Sequence, residues 1–409
     1  MEEKVDASLE SVRRLFVRKQ RLAGRLPGKP SKDDLLSVVR NLCYVQWDPV
    51  DAVAPSHIIS FWSRIGSFRR EDLDALLWND RKLFMHWNPA MLVPTEFYPL
   101  FYSLTRRYPD SVSDSWGTWK NSARKFLATH RELQKRVLAE LRKRGPLSAN
   151  EFQDHVPRRS SDGWTSGSDV SQMLFHLLML GQVMVVGHRG NQNMWDLADE
   201  FLPGWVEKKE ISQEEFEHEA AQKALRSLGT ATPREIFLYF PRARYLQLNK
   251  TIAGLEKESK VHRVHVKELG QRDERYVHVD DVALLESIEQ DLEPRMTLLS
   301  PFDNLLNDHG RLSRLFGFDY VHENFLPKNK RKYGTFVHPI LYGGNLIGRA
   351  DLLRDKESQR LRVIGLFAEP GAPKSQEVAS RLRDTFEDFA EFVGAREVVY
   401  PVRVPSGWR

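Results

Sequence analysis

Residues 45–51 read Val-Gln-Trp-Asp-Pro-Val-Asp, and in that run a carboxamide, Gln46, and a carboxylate, Asp48, flank one bulky apolar residue, Trp47. In an extended backbone successive side chains alternate, so Gln46 and Asp48 share one face and Trp47 takes the other. An amide beside a carboxylate can hold and polarise a water. Pro49 biases Asp48 away from helical geometry and so toward a strand end or a turn. The bland alternative has at least equal weight: Asp48 caps a helix beginning near Pro49, a common use of Asp before Pro. The residues alone leave both open.

Other sets of chemistry-bearing residues are weaker. His262 and His265 are three apart in a predicted strand, which sends them to opposite faces and argues against a shared metal site. A single cysteine, Cys43, excludes a disulfide framework and a multi-cysteine zinc site and fits a reducing compartment. There is no phosphate-loop or dinucleotide fingerprint, so neither metal nor cofactor is expected. Asp303, beside Pro301 and Asn304, reads as a turn former.

The elements that must position these groups follow one plan twice, in the manner of winged-helix modules: helix, helix, helix, hairpin. In the first copy, residues 131–197, a basic helix runs through Arg144 and stops at Gly145-Pro146, and Ser148 with Glu151 forms a capping box that starts the next helix. A third helix starts near Ser168 and ends at Gly181; residues 183–186 and 194–197 then flank a turn over 187–193. In the second copy, residues 213–282, Thr232-Pro-Arg-Glu235 supplies the capping box, a helix spans roughly residues 243–259, and strands at 261–266 and 276–279 flank the turn 270–273. The segment up to Arg107 is mostly helical, with Ser31 and Asp34 capping a helix that carries Leu35, Leu36, Val38, Val39 and Leu42, and is expected to be a modified third copy. Residues 108–121 read as a connection, and 158–167 as a mobile segment. Beyond Pro294, apolar β-branched runs at 335–341, 346–353 and 360–366 predict a small β-rich domain closed by a helix over 375–393 and a strand over 397–402.

The expectation is therefore an α+β chain of tandem winged-helix modules ahead of a β-rich, barrel-like domain, divided as residues 1–120, 121–205, 206–290 and 291–409. Lysine and arginine number 61 against 56 aspartates and glutamates, a formal charge of +5 that permits a polyanionic partner without requiring one. The first ten residues lack the apolar core of a signal peptide, and no stretch approaches the roughly 18 uninterrupted apolar residues of a membrane span. A cytoplasmic, nucleoid-associated monomer with no membrane partner is expected.

The segment Tyr44-Val-Gln-Trp-Asp-Pro-Val-Asp-Ala-Val-Ala-Pro-Ser-His57, followed by Phe61-Trp-Ser-Arg64, resembles the signature region of the YcaQ/AlkZ family of winged-helix DNA glycosylases. The resemblance continues through Leu298-Leu-Ser-Pro-Phe-Asp-Asn304, Arg314-Leu-Phe-Gly-Phe318, Lys330-Arg-Lys-Tyr-Gly334 and Leu346-Ile-Gly-Arg-Ala-Asp351. It implies a catalytic motif of Gln, an apolar residue, then Gln or Asp, matched here by Gln46-Trp47-Asp48 in the YcaQ-like form. Trp47 is bulkier than the usual aliphatic residue, which leaves lesion preference open. The resemblance further implies three winged-helix modules, a C-terminal barrel-like unit, no metal, and action on N7-alkylated purines in duplex DNA, including the unhooking of interstrand crosslinks.

The implied chemistry suits the residues. Alkylation at N7 places a positive charge on the purine, which then leaves without a general acid; the enzyme must stabilise an oxocarbenium-like sugar and position water. Asp48 is assigned as stabiliser and general base, and Gln46 as the group that orients water, carboxylate or lesion, for a monofunctional hydrolytic glycosylase. A crosslinked base does not flip readily into a closed pocket, so an open groove is expected. Trp47, His57, Trp62, His86 and Trp87 lie in the right region to border it, although for the tryptophans a core role has the greater weight. Expected DNA contacts are His57; His188, Arg189, Asn191 and Gln192 at one wing; Gln271 and Arg272 at the other; and the basic run with Lys328, Lys330, Arg331 and Lys332. The competing reading is a winged-helix transcriptional regulator that binds operators without catalysis, since a fold alone does not specify function.

Overall fold

Capping chemistry sets several helix starts in the computed structural model, which describes residues 4–86, 91–152, 168–240, 243–288 and 294–408. Ser31 and Asp34 bond reciprocally, amide to side chain, at 2.9 and 3.3 Å ahead of the helix Lys32–Leu42, which buries all five apolar positions expected of it. Thr232 and Glu235 do the same at 3.0 and 3.3 Å for the helix Pro233–Tyr239. The chain forms two compact units, Met1–Arg69, Gln222–Tyr239 and Ala253–Arg409 making up one, and Arg70–Ala221 with Phe240–Ile252 the other.

The second of these holds the first winged-helix copy. Its basic helix Arg131–Arg144 ends at Gly145, whose φ of 74° is left-handed. The Ser148/Glu151 capping box is present but opens a single 3-10 turn, Ala149–Glu151. The rest of the expected second helix and the stretch 158–167 lie outside the described residues. Ser168 caps the third helix, Asp169–Met179, and the hairpin Val183–Arg189 with Gln192–Leu197 follows. Its turn is only Gly190-Asn191, with Gly190 at φ 59°, shorter than the seven residues expected. The polar residues around it are exposed on both faces, so they remain in the backbone ladder without any apolar signal. The expected connection 108–121 is also partly structured, because the helix Gly117–Thr129 begins within it and Lys120 bonds Asp114 at 2.8 Å.

The helix Leu248–Lys257 begins five residues later than its periodicity suggests. Buried Glu217 explains the delay: its carboxylate accepts the Leu246 and Gln247 amides at 2.6 and 2.9 Å, holding the chain in a turn before the first helical residue. In the other unit, the second wing pairs Val261–Val266 with Arg275–His278, and Lys4–Ala7 joins in parallel, giving a four-stranded sheet with Thr230–Ala231 at its far edge. That N-terminal strand left no clear sequence signal.

The same unit contains the C-terminal sheet, a curled half-barrel of five strands in the order Met296–Leu298, Val337–Tyr342, Asn345–Asp355, Arg360–Ala368 and Glu397–Val399, the last parallel to its neighbour. The helix Gln376–Phe392 buries Leu382, Phe386 and Phe389 within this unit, each such side chain contributing about 1.5–3 kcal/mol on removal from water. The fold is mixed α+β. Among the described residues no helix is long and apolar enough to cross a membrane.

Candidate active site

Val45–Gln46 is a two-residue strand, and the chain then runs as a loop until the helix Ser56–Ile65. No helix begins near Pro49, so the capping alternative for Asp48 is overturned. Instead Asp48 Oδ1 accepts the Val50 amide at 2.9 Å in a local turn, and its main-chain oxygen receives the Ser56 amide at 3.1 Å. Asp48 Oδ2 and the Gln46 carboxamide make no hydrogen bond among the described residues, and both side chains are half-buried.

This loop is held from beneath by residues far away in sequence. Asn304 Nδ2 donates to the Tyr44 main-chain oxygen at 2.9 Å, and Asn307 Nδ2 to the Tyr44 hydroxyl at 3.0 Å. The Tyr44 hydroxyl donates to the carbonyl of Tyr239, whose own hydroxyl donates to that of Leu42, at 3.0 and 2.7 Å. Trp47 lies flat on His57, ring centroids 3.9 Å apart and planes 12° from parallel. The strand carrying Gln46 is therefore clamped on its neighbour Tyr44, and the residue between the two polar groups is braced.

Asp48 borders a narrow cleft of about 20 Å³, whose other walls include Ser56, Ser300, Phe302, Phe336 and His338. The Ser56 and Ser300 hydroxyls bond each other. Burial lowers His338 to about 4, so its imidazole is neutral, and Nδ1–H donates to the Leu299 carbonyl at 3.0 Å. Among the described residues no lysine or arginine lines the cleft. Burial pushes the Asp48 carboxyl above its ordinary value, with the Val50 amide as the one opposing influence. The cleft thus presents a partly desolvated carboxylate that, among the described residues, no lining cation neutralises, an arrangement that draws positive charge to itself.

The segments that carried the family resemblance interlock. Arg64 forms a two-pronged pair with Asp303 at 2.6 and 2.9 Å, both side chains fully buried, and its remaining donors reach the Gln20 and Ser60 carbonyls. Asp303 is indeed a turn former, accepting the Leu305 amide at 3.0 Å, but the ion pair to Arg64 left no local signal. Glu235, the helix-capping residue, also receives Arg275, Arg311 and Arg314 at 3.1, 2.5 and 2.7 Å. Arg349 stacks between Phe318 and Tyr333, 4.0 and 4.4 Å from the ring centres, and bonds Glu369 at 2.6 Å. Asp351 accepts the Thr335 and Phe336 amides at 3.1 Å each and fixes the cleft wall at Phe336; a Cβ at Gly334 would fall 2.1 Å from its carboxylate.

Of the residues weighed for the groove or the DNA surface, His57, Trp62 and His86 are buried, Trp62 in the core role that had the greater weight for it. His57 is 4% exposed beneath Trp47, a brace and not a surface group. Trp62 is core, 4.6 Å from Phe389. His86 is buried in the other unit, edge-on to Phe101, and burial takes it down to about 3. Trp87 lies outside the described residues. His188, Arg189, Asn191 and Gln192 are exposed at the first wing, with His188 edge-on to Trp78 and Arg189 paired to Glu151 at 2.8 Å. Gln271 and Arg272 are exposed at the second wing. Lys328 and Lys330 are exposed, and Lys332 lies over the Tyr333 ring, but Arg331 turns back to the Leu326 carbonyl and the Thr335 hydroxyl at 3.0 and 2.8 Å. Only three of the four cations in that run face outward.

A mixed α+β scaffold with wing-like hairpins and a carboxylate bordering a cleft is compatible with DNA-processing chemistry. The family model described as DNA glycosylase AlkZ-like matches residues 39–392, and the chain belongs to that family. It is a DNA glycosylase that acts on DNA in repair, and the regulator alternative gives way. Among solved structures, the Streptomyces sahachiroi DNA glycosylase AlkZ is similar over 97% of this chain and 99% of that one, with a TM-score of 0.65 and 19% identity, a likeness of fold.

Proposed function

We propose that the protein removes N7-alkylated purines from duplex DNA, interstrand crosslinks included, by hydrolysis without strand cleavage, and that Gln46 and Asp48 carry the reaction. The observation that supports this most directly is the Asp48 carboxylate, half-buried in a cleft that, among the described residues, no lysine or arginine lines. An N7-alkylated purine is cationic in the ground state, and its departure moves positive charge onto the sugar. A fixed, desolvated carboxylate near that sugar favours the transition state and takes a proton from attacking water. The uncommitted Gln46 amide supplies a donor and an acceptor to orient that water.

DNA contact is assigned to His188, Arg189, Asn191 and Gln192 on one hairpin, Gln271 and Arg272 on the other, and Lys328, Lys330 and Lys332. His57 acts through Trp47. The test is incubation with duplexes carrying N7-methylguanine or a nitrogen-mustard crosslink, assayed for free base and alkali-labile sites. Wild type should release base and leave an unbroken strand until alkali is added, whereas Asp48→Asn should bind the duplex and release little. Binding without base release by wild type would refute the proposal.

A further inference from the structure

The wall of the Asp48 cleft continues outward as an aromatic tier that the proposed chemistry does not use. Phe302, half-buried and part of the cleft, stacks on His322 with ring centroids 4.9 Å apart and planes 16° from parallel. Phe325 meets both rings edge-on, 6.3 Å from Phe302 and 6.2 Å from His322, and is itself 59% exposed. A single exposed apolar residue needs no explanation. This one is built differently, because its short turn, Glu323–Phe325, is rigidly tied to the basic run that follows. Buried Glu323 accepts the amides of Lys332, Tyr333 and Gly334 at 3.1, 2.8 and 2.9 Å. Lys328 and Lys330 stand exposed three and five residues beyond Phe325.

A preorganised aromatic face, flanked by free cations, matches what an unpaired nucleobase requires: a π-surface to stack on and positive charge for the adjoining phosphates. We propose that Phe325, backed by Phe302 and His322, is the platform that receives an unpaired base of the bound DNA beside the bond whose hydrolysis Asp48 promotes. Phe325 is on this account a positioning residue, and the proposal rests on the reading of Asp48 as the reacting group.

The test uses lesion-free probes and therefore needs no catalysis: a duplex with one unpaired, bulged base and its fully paired counterpart, with binding followed by fluorescence anisotropy. Wild type should prefer the bulged duplex. Phe325→Ala should weaken bulged-duplex binding by roughly 5- to 150-fold, the range that loss of one base–aromatic stack implies, and change paired-duplex binding by less than about twofold. Phe325→Trp should keep the preference, and Phe325→Leu, equally apolar but without a π-face, should lose it. Equal losses on both duplexes, no loss, or a leucine variant indistinguishable from wild type would overturn the platform. Melting temperatures of the three variants show whether each is folded, and the tryptophan and leucine pair decides the matter if the alanine variant is not. A failure of Asp48→Asn to abolish base release would sink the catalytic assignment and leave these binding results untouched.

Discussion

Asp48 and Asp303 are the same residue in nearly the same local posture. Each lies beside a proline-containing turn, and each accepts the amide two residues ahead, at 2.9 and 3.0 Å. Their surroundings are opposite. Asp303 is fully buried against Arg64 in a bidentate pair whose three guanidinium nitrogens each have a partner, while Asp48 is half-buried at a cleft where, among the described residues, no cation lines the wall and one carboxylate oxygen is uncommitted. Local geometry fixes where a carboxylate points; the charge brought to it through the fold decides whether it is neutralised in a structural pair or left uncompensated.

Exchange of each carboxylate separates the two roles. Asp48→Asn keeps an oxygen for the Val50 amide but removes the negative charge, so single-turnover base release should fall by about 10²–10⁴-fold, the usual range for loss of a general base, with the fold intact. Asp303→Ala should do the reverse. It strands the buried Arg64 guanidinium, and unfolding in denaturant should show a loss of roughly 3–5 kcal/mol. The double change Arg64→Met with Asp303→Leu should cost less than either single change, because neither partner is then left charged and alone. A double variant as unstable as the sum of the single ones would mean that the pair is not the source of the effect.

Gln46 sharpens the comparison on the Asp48 side. Its carboxamide has no partner among the described residues, so Gln46→Ala should leave melting unchanged. If the amide orients water or carboxylate during the reaction, the loss of one hydrogen bond to a charged group, about 1.5–3 kcal/mol, lowers base release roughly 10- to 150-fold. A fall in lesion-duplex affinity with unaltered single-turnover chemistry would instead make Gln46 a binding residue.

The contrast between the two aspartates also explains what could be read before the structure. Capping boxes at Ser31/Asp34 and Thr232/Glu235 are written within four residues, and the helices they start stand where the spacing puts them. The Gln46-Trp47-Asp48 run was visible as alternation, but alternation could not choose between a helix cap and an open turn; that choice depends on where the next helix begins, at Ser56. Hidden altogether were partnerships that only folding creates. Arg64 meets Asp303 across 239 positions, Tyr44 meets Asn304 across 260, and Glu235 serves its own helix and three arginines at once. His57 misled because a histidine reads alike whether it faces a phosphate or lies under a tryptophan.

The smallest expected effect bears most directly on why Asp48 is uncompensated. Burial holds its carboxyl above the ordinary carboxylate range, so the folded protein binds that proton more tightly than the unfolded chain does. The contribution of this group to stability is then greatest at acid pH and is lost as pH rises through the folded-state pKa. At neutral pH the ionised carboxylate is a standing strain on the fold, one that the reaction proposed for Asp48 would account for. Asp48→Asn should therefore be at least as stable as wild type at pH 7, by a small positive shift in melting temperature that vanishes toward pH 4, while the acid limb of wild-type base release falls off at a pH above that of an unperturbed aspartate. An asparagine variant less stable at neutral pH than at acid pH, relative to wild type, would show that Asp48 has a cation partner in solution and that its likeness to Asp303 extends to its role.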